Sequence, residues 1–150
     1  MNWMILPFKR YAEFTGRSRR MEYWMFTLFN LIVMMVLVFV AFGAGGAAGL
    51  LDASADPGEG AAALFGGLGL LVLLYVLAIF IPSIAVTIRR LHDRDLSGWW
   101  YLGAIVAGLV PYVGFIASIA FLVVLALPGT PGSNRFGPDP KGAGEAETFA

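Results

Sequence analysis

Three uncharged apolar runs divide the chain, from Tyr23 to Leu51, from Gly60 to Ile88 and from Leu96 to Asn134. Each exceeds the ~20 residues that a helix needs to cross hydrocarbon. The pattern predicts an all-α, multi-pass transmembrane protein with spans over about 23–42, 64–88 and 99–127. The third run is the irregular one. As a straight helix its 29 residues would extend ~43 Å, more than the ~30 Å hydrocarbon core, and Pro111 and Gly114 interrupt it. Two topologies follow: three spans with one of them kinked, or four helical arms with a bend at Pro111 that returns the tail to the side of the N-terminus.

Polar positions inside the runs are few. Thr27 and Asn30 lie three apart on one face of the first span, where such groups hydrogen-bond to a neighbouring helix. Tyr75, Ser83 and Thr87 form one mildly polar row on the second, and Pro82 predicts a kink near its end. Gly103, Ala107, Gly114 and Ser118 share a small-residue side of the third run, suited to close helix approach. That side serves packing within the chain or a homo-oligomer.

The connecting segments differ in chemistry. Residues Met1 to Arg20 mix aromatics with basic side chains, as in a segment lying in the headgroup layer; Pro7 is placed to open a short helix and Gly16 to end it. The stretch from Gly43 to Ala63 is rich in Gly, Ala, Asp and Pro and reads as a flexible loop. Between the second and third runs stands a charged hinge, Arg89 to Asp95, with Asp95 or Ser97 placed to cap the next helix. The tail from Pro128 to Pro140 carries turn chemistry, and residues 142–150 are expected to be disordered. One membrane domain, 1–141, accounts for the rest.

Composition agrees with this pattern. Hydrophobic residues make up 59% of the 150, charged residues 13%, and the mean hydropathy is +0.78, outside the range of soluble domains. The chain has no cysteine and a single histidine, so neither a thiolate site nor a structural zinc site is expected. No cofactor, metal or nucleic-acid partner is predicted. From Met1 to Glu22 five basic minus two acidic residues give +3, while the loop around Asp52, Asp56 and Glu59 holds no Lys or Arg. The positive-inside rule then puts the N-terminus in the cytoplasm. The first span is read as uncleaved. Tyr23, Trp24, Trp99 and Trp100 are placed as interfacial anchors, where amphipathic rings settle.

The candidate site is the set of charged residues at the span ends: Arg17, Arg20, Glu22, Arg89, Arg90, His92, Asp93, Arg135 and Asp139. Clustered cations at a helix start oppose the macrodipole and call for a negative partner. Lipid phosphates, a soluble anion, or the carboxylates Glu22, Asp93 and Asp95 all qualify. His92 beside Asp93 also admits an acid–base reading, but adjacent helical residues point about 100° apart.

Four blocks carry a family resemblance: Phe14-x-Gly16-Arg17-x-x-Arg20-x-Glu22-Tyr23-Trp24; Arg89-Arg90-Leu91-His92-Asp93 with Ser97-Gly98-Trp99-Trp100; Pro111-x-x-Gly114; and Gly129-Thr130-Pro131-Gly132-x-Asn134-Arg135-Phe136-Gly137-Pro138-Asp139-Pro140. In these the chain resembles the bacterial inner-membrane family DUF805. The resemblance implies bacterial origin and a multi-pass inner-membrane location, and it supplies no activity. The expectation is a non-enzymatic membrane component whose basic cytoplasmic face contacts anionic lipid headgroups or a partner protein. A small transporter or channel-like subunit is the alternative, and an intramembrane enzyme using His92 and Asp93 a third class.

Overall fold

The computed structural model describes residues 3–41 and 67–142. The expected loop at 43–63 and the expected disorder beyond residue 142 lie outside the described residues. Within them the fold is helical: α1, Leu6–Lys9; α2, Arg20–Ala41; α3, Gly67–Asp93; α4, Trp99–Gly108; and α5, Val113–Ala126. Two compact units divide the chain, one formed by Met1–Phe26 with Ile81–Ala150 and the other by Thr27–Phe80.

At 22 and 27 residues, α2 and α3 extend about 33 and 40 Å, and both are apolar and long enough to cross a membrane. In the Thr27–Phe80 unit most side chains face outward, including Leu31, Met35, Phe39, Leu73 and Leu77. In water so much exposed apolar surface would drive aggregation; in lipid it is the solvated face. The polar exception is internal. Tyr75 donates its hydroxyl to Asn30 Oδ1 at 2.7 Å, the cross-helix bond expected of a polar group at membrane depth.

The Met1–Phe26 and Ile81–Ala150 unit holds the packed core: Phe26, Ala85, Val86, Leu91 and Leu125, with Pro7 and Pro82. Phe8 meets Phe26 edge-on, ring centres 5.2 Å apart. Pro7 does open α1, but that helix ends at Lys9 rather than at Gly16. Gly16 instead takes φ +80° in the bend that leads into α2, a left-handed conformation that glycine adopts without a Cβ penalty. The second span also runs longer than predicted. Its helix passes through Pro82 and continues to Asp93, so Arg89 to Asp93 is the last helical turn and not a hinge.

The third run folds as two arms. Leu109 to Tyr112 reverse the chain, and α4 packs back on α5. Gly108 and Gly114 make the closest approach: a Cβ on Gly114 would lie 2.9 Å from the Gly108 Cα. Gly103 and Ala107 face Ala117 and Ala120 across a cavity of about 490 Å³ that Leu96 and Trp100 border at the charged end. Neither predicted cap stands at the start of α4. Gly98 holds the N-cap position without a side-chain bond, and Ser97 Oγ accepts only a long 3.4 Å contact from Trp99 N–H. Asp95 is turned away by a φ of +57°.

Removing the Tyr75 hydroxyl isolates the value of the cross-helix bond. Tyr75→Phe is expected to cost about 0.6 kcal/mol, the average for such bonds in membrane helices, read as a small shift in an unfolding titration from mixed micelles. A loss above ~2 kcal/mol would mean that the hydroxyl holds more than Asn30.

Candidate functional site

Three segments far apart in sequence converge where α2 begins and α3 ends: the arm Arg10–Arg20, the turn Arg89–Asp95 and the tail Pro128–Lys141. Asp93 is the centre. Its Oδ1 accepts the Arg17 Nε–H at 3.0 Å, its Oδ2 pairs with Arg90, and its backbone carbonyl accepts from Thr130 N–H at 2.8 Å. The carboxylate thus joins an arm cation to a helix cation and the adjoining backbone holds the tail.

Arg17 spreads its fork over the tail. Nη1 donates to Gly132 O and Nη2 to Thr130 O, both at 2.6 Å. Arg89 binds the arm, donating to the carbonyls of Arg10 and Glu13 and to Glu22 Oε1, the last at 3.1 Å. Its own carbonyl accepts from Ser18 N–H at 3.1 Å. Arg90 reaches the end of α5, where Nε donates to Leu125 O at 2.9 Å and Nη2 to Leu127 O. Those carbonyls belong to the last turn and the cap of α5, which have no partner inside their own helix. Arg89 and Arg90 are both 0% exposed. At the end of an apolar helix such cations can snorkel outward to the interface; these two are folded inward, where carbonyl and carboxylate oxygens converge on them.

His92 and Asp93 do not form a dyad. The imidazole stacks on Phe136, ring centres 3.9 Å apart and nearly parallel, and its Nδ1 stands 3.2 Å from Gly16 O; a carbonyl accepts, so that nitrogen carries the proton. The His92 carbonyl accepts from Asn134 Nδ2 at 2.9 Å. Asp95 pairs with Arg135 at 3.1 Å on the exposed surface, away from the cations of the arm. Asp139 closes the tail loop on itself, accepting from Gly132 N–H at 3.1 Å and Lys141 N–H at 2.9 Å. Backbone donors favour the charged carboxylate, so its pKa is lowered, chiefly by the Lys141 amide. Glu13 is likewise lowered by its bond to Arg10, 2.6 Å away.

Eight of the nine predicted site residues therefore bond within this assembly; Arg20 makes one long contact, to Ala126 O at 3.5 Å. Its guanidinium is exposed and borders a basic pocket of about 160 Å³ with Arg17, Arg19, Asp93, Asp139 and Lys141. Arg19 leans on Pro140 O at 2.6 Å and lies 5.6 Å over the Trp3 ring. Gly129, Thr130 and Asn134 stand in the fourth resemblance block but are not among the candidate site residues. Asn134 accepts from Phe136 N–H at 2.9 Å, an Asx turn of the kind an Asn in a Gly/Pro-rich stretch signals. Gly129 leaves no such signal: a Cβ there would collide with the Asp93 carboxylate.

Two long apolar helices, a folded-back apolar hairpin and one buried polar headpiece define an integral membrane protein of the helical class. The comparisons specify it further. A sequence profile described as "Protein of unknown function (DUF805)" matches residues 11–138, and the chain belongs to that family. The inner membrane protein YhaH of Escherichia coli K12 is 43% identical over 141 residues, covering 94% of this chain and 98% of YhaH. Inner membrane protein YhaI of the same strain is 40% identical over 143 residues, covering 94% and 97%. No solved structure matches. Nothing in these relatives indicates an enzyme activity.

Two substitutions test the headpiece. Arg17→Lys keeps the charge but cannot reach Asp93, Thr130 and Gly132 with one fork. Breaking a buried pair costs about 3–5 kcal/mol, so a large drop in thermal unfolding temperature in detergent is expected; wild-type behaviour would reduce Arg17 to an orientation signal. Gly129→Ala is expected to cost ~1–3 kcal/mol through the collision with Asp93, measured in the same way, and a neutral result would refute the close approach.

Proposed function

We propose that this is a non-enzymatic inner-membrane component whose headpiece lies in the cytoplasm and holds the phosphate of an anionic lipid. Charge supports the orientation. The segment Met1–Glu22 carries +3, the segment Arg89–Asp95 three basic minus two acidic or +1, and the stretch from Pro128 to Ala150 two basic minus three acidic or −1, for +3 in all; the loop with Asp52, Asp56 and Glu59 carries −3. The positive-inside rule puts the former with the cytoplasm.

The single observation that carries the lipid reading is the basic pocket. It is lined by Arg17, Arg19, Arg20 and Lys141 against Asp93 and Asp139, four positive charges and two negative, so +2 remains. Arg17 and Asp93 are buried and paired with each other. The surplus sits on Arg19, Arg20 and Lys141, at the foot of α2 one turn from Tyr23 and Trp24, which is headgroup level if these rings mark the interface. Each basic residue near an anionic surface is worth about 1 kcal/mol of attraction.

Native mass spectrometry of the purified protein with phosphatidylglycerol tests this. The Arg20→Gln, Lys141→Gln double variant is expected to retain several-fold less lipid than wild type with its unfolding temperature unchanged. Undiminished retention at intact stability overturns the assignment of the pocket.

A further inference from the structure

The two arms α4 and α5 are too short for what the rest of the third run implies. At 10 and 14 residues they extend about 15 and 21 Å, against a hydrocarbon core of ~30 Å. Both of their outer ends are held at one level. α4 starts at Trp99, six residues after Asp93, and α5 ends at Ala126, where Arg90 binds the carbonyls of Leu125 and Leu127. Thr130 then bonds back to Asp93. A hairpin with both ends fixed beside the headpiece has its apex, Leu109 to Tyr112, only some two-thirds of a bilayer away at most.

We infer that α4 and α5 form a re-entrant hairpin, which enters and leaves the membrane on the side of the headpiece and takes lipid of that leaflet as its partner. Its surface fits hydrocarbon. Leu102, Val106, Leu109, Phe115, Ile116 and Leu122 all project outward, and no charged residue occurs between Asp95 and Arg135. Trp99 and Trp100 ring its base, both exposed, at the depth where indole rings prefer to sit.

Of the five N–H groups from Leu109 to Gly114, all but that of Tyr112 are satisfied internally. Backbone that is not helical is tolerated in hydrocarbon only where its polar groups are satisfied. Leu109 N–H bonds to Val106 O, Val110 N–H to Ala107 O, Val113 N–H to Pro111 O and Gly114 N–H to Val110 O, at 2.8 to 3.1 Å. Pro111 has no N–H to place. Tyr112 takes φ +65° and ψ −49°, the rare, strained form of γ-turn, which the Val113 N–H to Pro111 O bond closes; the reversal requires it, and the ring is 88% exposed. Gly108 and Gly114 let the arms close directly beneath.

Because the native chain has no cysteine, single cysteines report depth and side in proteoliposomes of the full chain. Tyr112→Cys is expected to resist a membrane-impermeant maleimide from both sides, while a nitroxide attached there is relaxed by oxygen rather than by a water-soluble nickel complex. Ser97→Cys and Ser133→Cys are expected to react from one and the same side. Reaction of Tyr112→Cys from the side opposite Ser133→Cys would show that the arms cross the bilayer. Reaction from the same side would put the hairpin on the surface. Either result overturns the inference, and Phe115→Cys, also on the exposed face of the hairpin, decides the question if the apex variant fails to fold.

Discussion

Everything in the headpiece depends on burying guanidinium groups at the edge of a membrane. A buried cation is costly unless charge and hydrogen bonds replace its water. Two buried carboxylates, Glu22 and Asp93, serve Arg17, Arg89 and Arg90, which leaves one cation more than the anions can neutralise. The remainder comes from backbone carbonyls. Helix ends supply some of them: Leu125 and Leu127 close α5, and Arg10 and Glu13 follow α1. A helix end and a buried arginine therefore solve each other's problem, one lacking donors and the other lacking acceptors. Lysine could not take these places, since a single ammonium lacks the planar fork with which each of these arginines spans acceptors on two segments.

This constraint reaches into the membrane. Asp93 is held by Arg17 from the arm and by Thr130 from the tail, so the arm, the end of α3 and the tail must lie on one face. The third apolar run is then obliged to return to where it began. Proline at 111 removes a helical donor and tyrosine at 112 reverses the chain, and the small residues Gly108 and Gly114 let the arms come together. Polar contacts in the headpiece thus fix where the apolar run returns. Buried ion pairs add little net stability over an apolar packing, and their better-attested role is to fix a unique arrangement; here that arrangement is the convergence of arm, helix end and tail.

How much of this the sequence could disclose follows from the same physics. The spans were legible because hydropathy acts along the chain, and the break at Pro111 because proline acts at its own position. The set of charged residues was legible too, but the pairing was not. Arg17 lies 76 positions from Asp93 and 113 from Thr130, and most of its acceptors are carbonyls that every residue owns. Asp93 and Asp95 look interchangeable on paper. The left-handed turn at Asp95 separates them, giving one to the buried cations and the other to the exposed Arg135. The part that Thr130, Asn134 and Gly129 of the fourth block play in the site was hidden for a related reason: they act through a backbone amide, a turn and the absence of a side chain.

The division between buried and rim cations also changes what a count of basic residues means. Topology is set during insertion, when Arg17, Arg89 and Arg90 are still unpaired and count fully toward the cytoplasmic bias. In the folded protein those three are buried and paired with carboxylates and carbonyls, Arg89 Nε alone lacking an acceptor among the described residues, whereas the field felt by a lipid headgroup falls away within a Debye length of about 8 Å at physiological salt. Only cations at the rim lie within that reach. Arg20 and Lys141 are exposed around one pocket, while Arg19 is engaged by Pro140 O and Trp3 and Arg135 by Asp95 and Phe136. A chain of formal net charge zero can thus present a locally cationic surface: Glu22 and Asp93 are buried, Glu13 and Asp95 are paired with Arg10 and Arg135, and Asp52, Asp56 and Glu59 lie on the loop between the first two spans.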